Sequence, residues 1–107
     1  MKDRARVVII GAGIVGASTA YHLAQSGCTD VLVVDQGPLF DTGGSTSHAP
    51  GGVFQLNYSK TMTEFARYTT QLYSGLESDG LPAWYPVGSL EVAWSNERLI
   101  DLRRKLG

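Results

Sequence analysis

The fold is decided by the stretch VVIIGAGIVG at residues 7–16. Its first four residues are an unbroken β-branched run, which is typical of a strand buried on both faces of a parallel sheet. A glycine-rich turn ends this strand, and helical spacing of the apolar residues follows to about residue 26. The spacing predicts an apolar helix face with Ile14, Ala17, Tyr21 and Ala24 and an opposite polar face with Ser18, His22 and Gln25.

A second β-branched run follows at residues 31–34 and ends at Asp35. Strand, turn, helix and strand predict a right-handed βαβ unit, so the fold class is α/β. A complete doubly wound domain needs about five or six parallel strands. Only one weaker strand candidate remains, at residues 87–94. We therefore expect residues 1–107 to be a partial, truncated Rossmann-like domain without a substrate domain.

The glycine spacing Gly11-x-Gly13-x-x-Gly16 matches the dinucleotide-binding fingerprint. In that motif the first glycine permits the tight turn, the second lets a pyrophosphate approach the backbone, and the third lets the helix pack against the sheet. The N–H groups of Ile14 and Val15 are then expected to face the phosphates.

Asp35 stands nineteen residues after Gly16, where a carboxylate can accept hydrogen bonds from ribose hydroxyls. The motif does not choose between NAD and FAD, which share the same ADP half. A glycine-rich turn in another βαβ fold, with Asp35 as a plain cap, is the alternative interpretation.

The second half of the chain predicts a long loop, two helices and the weak strand. A helix is expected to about residue 76, with Thr61 in capping-box spacing and Ser59 as a competing cap. It should stop at residues 78–80. Ser95 is predicted to cap a last helix that has Leu99, Leu102 and Leu106 on one face.

Composition excludes several partners. The net charge of −1 gives no electrostatic reason to expect nucleic acid or an acidic membrane, and no apolar run approaches the length of a membrane span.

Cys28 is the one cysteine, so no intramolecular disulfide is possible, which fits a reducing compartment. We expect a cytoplasmic protein, with the mitochondrial matrix as the alternative although no transit peptide is visible. His22, His48 and Cys28 lack the spacing of metal ligands, so no metal is predicted.

The loop GGSTSHAPGG at residues 43–52 places His48 among residues with little bulk. By composition alone, this histidine is either solvated or hydrogen-bonded for structure. A resemblance to a known family rests on this loop together with three later stretches, VFQ at 53–55, SKTM at 59–62 and GSLEVA at 88–93. These stretches closely resemble the N-terminal region of the dimethylglycine oxidases and are similar, more loosely, to the sarcosine and dimethylglycine dehydrogenases. Together these form a family of FAD-dependent amine oxidoreductases of the D-amino-acid oxidase type. The match covers nearly the whole chain.

The resemblance implies FAD as the cofactor, with His48 joined covalently to the 8α carbon of the flavin. It implies a cofactor lining of Ile14, Val15, Asp35, Gln36, Gly44, Ser45, Thr46, Ser47, His48 and Gly52. Position 52 departs from the family pattern, which has a larger apolar residue there, so only a backbone contact is expected at Gly52.

The implied reaction is oxidation of a small N-methyl amino acid, of dimethylglycine or sarcosine type, by hydride transfer to flavin N5. No general base is assigned, and the catalytic residues are expected beyond residue 107. The open alternatives are an NAD-dependent dehydrogenase fragment and a non-catalytic nucleotide-binding fragment. The oligomeric state is left open.

Overall fold

The computed structural model describes residues 3–38 and 43–106. The chain divides into two compact units, Met1–Gly51 and Gly52–Gly107. The first unit contains β1 (Val7–Ile10), α1 (Ile14–Gln25) and β2 (Val31–Val34). The second contains α2 (Lys60–Tyr73), β3 (Glu77–Ser78), β4 (Leu81–Pro82) and α3 (Asn96–Leu106). That all 107 residues form one partial domain stays a prediction.

In the first unit, β1 and β2 pair in parallel, with the register running from Val7 opposite Val31 to Ile10 opposite Val34. The predicted strand–helix–strand order and its positions are therefore confirmed. Parallel neighbours need a crossover, and α1 supplies it.

The predicted faces of α1 are wrong. All four residues of the predicted apolar face are exposed, and the partly buried residues of the helix are Gly16, Ser18, Ala20, His22 and Leu23. The physical reason is the close approach at Gly16, where an added Cβ would overlap the carbonyl oxygen of Gly11 and lie 3.2 Å from Ile9 Cγ2. Because a glycine makes this approach possible, its face of the helix turns toward the strands.

The expectation that β1 is buried on both faces is also not met by the described residues. Burial alternates along β1, with Val7 and Ile9 partly covered, whereas Val8 is 54% and Ile10 is 88% exposed. Within the described part of this unit, α1 is the one helix, and a single helix covers only one face of a strand pair.

In the second unit, α2 begins with Ser59 as its N-cap, whose hydroxyl accepts the Met62 N–H at 3.5 Å. Thr61 lies inside the helix, so the competing cap was the right one. The helix ends at Tyr73, three residues earlier than predicted. Thr70 is its buried residue, 4% exposed, and its hydroxyl accepts a hydrogen bond from Gln55 Nε2 at 3.0 Å.

A short hairpin, missed by the sequence reading, follows α2. Glu77 and Ser78 pair antiparallel with Pro82 and Leu81. Asp79 (φ 53°) and Gly80 (φ 76°) form the connection, and both take the left-handed conformation of a two-residue hairpin turn. Asp-Gly is the usual sequence of such a turn, so the signal for a hairpin is present at residues 79–80, where the sequence analysis predicts only the end of a helix.

The predicted strand at residues 87–94 is wrong, since this segment pairs with no strand among the described residues. Gly88 has φ 75°, which interrupts a strand conformation, and Val87 and Leu90 are 90% and 88% exposed. The last helix is confirmed, because α3 begins at Asn96 and Ser95 Oγ accepts the Arg98 N–H at 3.3 Å. No helix in the described ranges is long and apolar enough to cross a membrane.

Candidate functional site

The turn between β1 and α1 depends on its first glycine. Gly11 has φ 101°, a conformation that side chains with a Cβ rarely adopt, so glycine is needed here for the backbone itself. Its N–H donates to the Val34 carbonyl at 2.7 Å, which joins the turn to the end of β2. The turn and the carboxyl end of β2 are therefore held side by side.

Asp35 closes this arrangement. Its Oδ2 accepts the Ala12 N–H at 2.6 Å, and its Oδ1 accepts the Gly37 N–H at 3.0 Å. The hydrogen bonds from the Ala12 N–H and then the Gly37 N–H lower the pKa of the Asp35 carboxyl below its ordinary value, against an opposing effect of desolvation that exceeds the Gln36 contribution. Hydrogen bonds to the charged form favour ionisation. The carboxylate therefore organises the turn, and each oxygen retains lone pairs for a further donor.

This arrangement predicts an acid-sensitive turn. A lowered pKa in the folded state means that the stabilisation is complete above the unfolded pKa and is lost as the pH falls through the folded pKa. The unfolding midpoint of Asp35→Asn should therefore depend less on pH than that of wild type below about pH 4. The measurement is urea unfolding across pH 3–7, at intervals of about 0.5. An Asp101→Asn control removes a surface carboxylate 3.9 Å from Arg104 and should follow wild type, whereas equal slopes for all three proteins would contradict the prediction.

The loop after residue 43 is attached to the start of α1. Thr46 Oγ1 accepts the Ile14 N–H at 2.9 Å, across 32 residues of chain. Within the loop, the Ser47 N–H and hydroxyl donate to the Gly44 carbonyl oxygen at 3.1 and 2.7 Å, and the Ala49 N–H donates to the Thr46 carbonyl at 3.2 Å. These bonds form a compact turn around Thr46.

His48 belongs to the same turn. Its Nδ1 lies 2.9 Å from the Gly44 carbonyl oxygen and 3.3 Å from Ser47 Oγ. A carbonyl oxygen only accepts, so Nδ1 is the donor in this contact, and in the neutral ring the lone pair resides on Nε2. The imidazole is exposed to solvent, but its hydrogen bonds fix its orientation. The composition of the loop alone could not distinguish this oriented ring from a freely solvated one.

A cavity of about 600 Å³ lies between the turn, the end of β2 and this loop. Its size is within the range usual for small-molecule sites. The lining residues are Ile10, Gly11, Gly13, Val34, Asp35, Gln36, Gly44, Ser45 and Thr46.

The cavity brings together seven of the predicted residues. Ile10 and Val34 were missed, although they are the last residues of two parallel strands, the edge at which ligands bind in such sheets. The other predicted residues of this unit, which are Ile14, Val15, Gly16, Ser47 and His48, belong to α1 and the loop beside the cavity and are not among its lining. Gly52 belongs to the second unit, where its Cβ position would be 3.4 Å from the Phe54 ring.

The lining fits a dinucleotide cofactor such as FAD. Pyrophosphate and ribose require a turn with glycines at the close approach, a carboxylate and hydrogen-bonding groups. The lining supplies these as Gly11 and Gly13, Asp35 at the end of β2, and the hydroxyls of Ser45 and Thr46. Among the described residues, no group of three His, Cys, Asp or Glu side chains could hold a metal ion.

The fold and the cavity define an α/β protein with a glycine-rich turn between its first strand and first helix. The chain belongs to the FAD dependent oxidoreductase family, which it matches over residues 6–107. The resemblance seen in the sequence is thereby confirmed, and membership favours FAD over NAD as the cofactor.

Several curated relatives are similar over most of this chain. Rat dimethylglycine dehydrogenase is 35% identical over 107 residues, and the 4-methylaminobutanoate oxidase (formaldehyde-forming) of Paenarthrobacter nicotinovorans is 39% identical over 99 residues. The regulatory subunit of mouse pyruvate dehydrogenase phosphatase is 38% identical over 103 residues. These matches cover 98%, 91% and 94% of this chain but only 12% of each relative's length.

Proposed function

We propose that this chain provides the FAD-binding part of an oxidoreductase that acts on small N-methyl amino acids of the dimethylglycine or sarcosine type. The observation that carries the proposal is the cavity itself. Its lining includes the glycine turn, Asp35 and residues 44–46 of the loop that carries His48, and the chain belongs to the FAD dependent oxidoreductase family.

Each group has a distinct task in this proposal. The turn at Gly11 and Gly13 admits the pyrophosphate, and Asp35 accepts ribose hydroxyls while it holds the Ala12 N–H. His48 is the covalent attachment residue. The remaining contacts are the predicted ones at Ile14, Val15, Gly16, Gln36, Gly44, Ser45, Thr46, Ser47 and Gly52.

A bound flavin supplies the hydride acceptor, N5, for oxidation of an amine carbon. The chain's own contribution is binding and orientation. The substrate class is supported by the relatives, since two of them are named as a dimethylglycine dehydrogenase and a 4-methylaminobutanoate oxidase. No residue of this chain is assigned as general base. The proposed location remains the cytoplasm, although the rat dehydrogenase and the mouse regulatory subunit are named as mitochondrial proteins.

Cofactor choice can be tested by binding. Flavin-free gene product should bind FAD at least about tenfold more tightly than FMN, because FMN lacks the AMP half that the turn and Asp35 recognise through charge-assisted hydrogen bonds. Quenching of flavin fluorescence gives both dissociation constants, and Asp35→Ala should reduce the difference. Equal affinities for FAD and FMN, or no binding of either, would overturn the proposal.

A non-catalytic role is the second candidate, and one observation favours it. The mouse relative at 38% identity is named as a regulatory subunit. The two roles are separated by adding dimethylglycine or sarcosine to the flavin-loaded protein without oxygen. Bleaching of the visible flavin absorption supports the oxidoreductase, whereas an unchanged spectrum with bound FAD supports the regulatory role.

A further inference from the structure

The beginning of α1 has an unusual cap. Gly13 occupies the N-cap position and offers no side chain, so the helix lacks the local Ser, Thr, Asp or Asn cap that most helices use. The acceptor comes instead from the loop, where Thr46 Oγ1 lies 2.9 Å from the Ile14 nitrogen. A residue 32 positions later thus provides the cap.

The backbone conformation at position 13 does not require a glycine. Its φ of −66° and ψ of −179° are extended values open to any residue. The requirement is space, and the structure identifies the atom that lies nearest to it. A Cβ on Gly13 would lie 2.9 Å from Thr46 Oγ1 and 3.8 Å from Thr46 Cβ. The hydroxyl could retreat only by rotating away from Ile14.

Thr46 is two residues from His48 in a turn with internal hydrogen bonds. The Gly44 carbonyl oxygen accepts from Ser47 and from His48 Nδ1, and the Ala49 N–H donates to the Thr46 carbonyl. Because these bonds hold the turn together, fixing the Thr46 side chain on α1 also restricts where the imidazole can lie.

We propose that Thr46 is a positioning residue that ties the loop of His48 to the N-terminus of α1, and that Gly13 lacks a side chain to admit the Thr46 hydroxyl. The consequence for His48 rests on the proposed function, since it concerns attachment of the flavin. The contact between Gly13, Ile14 and Thr46 is formed only by residues of this chain, so it can be tested without a cofactor.

The contact is tested first in flavin-free gene product by hydrogen–deuterium exchange of the segment at residues 11–17. Thr46→Val keeps the shape of the side chain but removes the acceptor, and should speed exchange of the Ile14 amide by about fivefold. Thr46→Ser keeps the hydroxyl and should exchange like wild type. Wild-type exchange in Thr46→Val would overturn the proposal.

A double-mutant cycle tests the role of Gly13 in the same flavin-free protein. Gly13→Ala should lower the thermal unfolding midpoint in the wild-type background but not in Thr46→Ala, where the obstructing hydroxyl is gone. An equal decrease in both backgrounds would show that the space at Gly13 serves something other than Thr46, and would also overturn the proposal.

The effect on His48 is measured as the rate at which acid-stable flavin accumulates after saturating FAD is added. Thr46→Val should slow attachment by at least about tenfold, because a misplaced reacting group loses its orientation, and Thr46→Ser should restore the rate. An unchanged rate in Thr46→Val would exclude the positioning role. If wild type binds no flavin, the proposed function fails, whereas the exchange and double-mutant measurements still decide the contact.

Discussion

Replacing His48 by alanine is expected to abolish acid-stable attachment of flavin while the protein still binds FAD reversibly. Residues 43–52 contain no other side chain with a nucleophilic nitrogen, so no neighbour can take over. The remaining groups around the cavity, including Asp35 and the glycine turn, are unchanged by the substitution. The measurement is flavin fluorescence of the protein band after acid denaturation and gel electrophoresis, which should fall from wild-type intensity to background.

His22→Ala is the matched control, because His22 is the other of the two histidines in the chain. Its Nδ1 lies 2.7 Å from the Ser18 carbonyl oxygen, so its ring is engaged by its own helix, away from the cavity lining. This variant should keep a fluorescent band. Fluorescence that persists in His48→Ala would show attachment through another residue.

Gly16→Ala is expected to destabilise the first unit by about 3 kcal/mol, at the upper end of the usual cost of overpacking. The new Cβ would overlap the Gly11 carbonyl oxygen, where carbon and oxygen normally stay at least about 3.3 Å apart, and would press on Ile9. Alanine gains about 1 kcal/mol of helix propensity, which does not offset a clash with backbone. The helix must move away from β1, and FAD affinity should fall with it.

The urea unfolding midpoint, followed by circular dichroism, measures this effect. Gly75→Ala is the matched control, since the nearest atom to its added Cβ is the Leu72 carbonyl oxygen at an ordinary 3.7 Å. It should change the free energy of unfolding by less than about 1 kcal/mol. A wild-type midpoint for Gly16→Ala would contradict the close packing of α1 against β1.

The first unit was predictable because its signals are local. Four β-branched residues, a fixed glycine spacing and a carboxylate at the end of the next strand identify the elements and place Asp35 beside the turn. The face of α1 was not predictable from hydropathy. Its apolar residues are spread around the helix, and the contact at Gly16, which has no side chain, decides which side turns inward.

Features that depend on distant partners could not be predicted. Residues 87–94 alternate like a strand, but alternation does not reveal whether a neighbour is present to pair with. The bond from Ile14 to Thr46 spans 32 residues, and no spacing rule connects a loop threonine with a helix start. The fingerprint relates the missing side chain at Gly13 to an approaching phosphate, and the structure adds a hydroxyl of the chain itself that lies beside the same position.

The central claim is that the loop of His48 carries a flavin, and peptide mapping of the wild-type gene product tests it most directly. The protein is denatured in acid, digested and separated, and the fluorescent peptide is sequenced by tandem mass spectrometry. We predict a single flavin-bearing peptide that contains residues 43–52, with the added mass on His48. A flavin on any other residue, or a digest with no flavin-bearing peptide from protein that had been saturated with FAD, would contradict the claim.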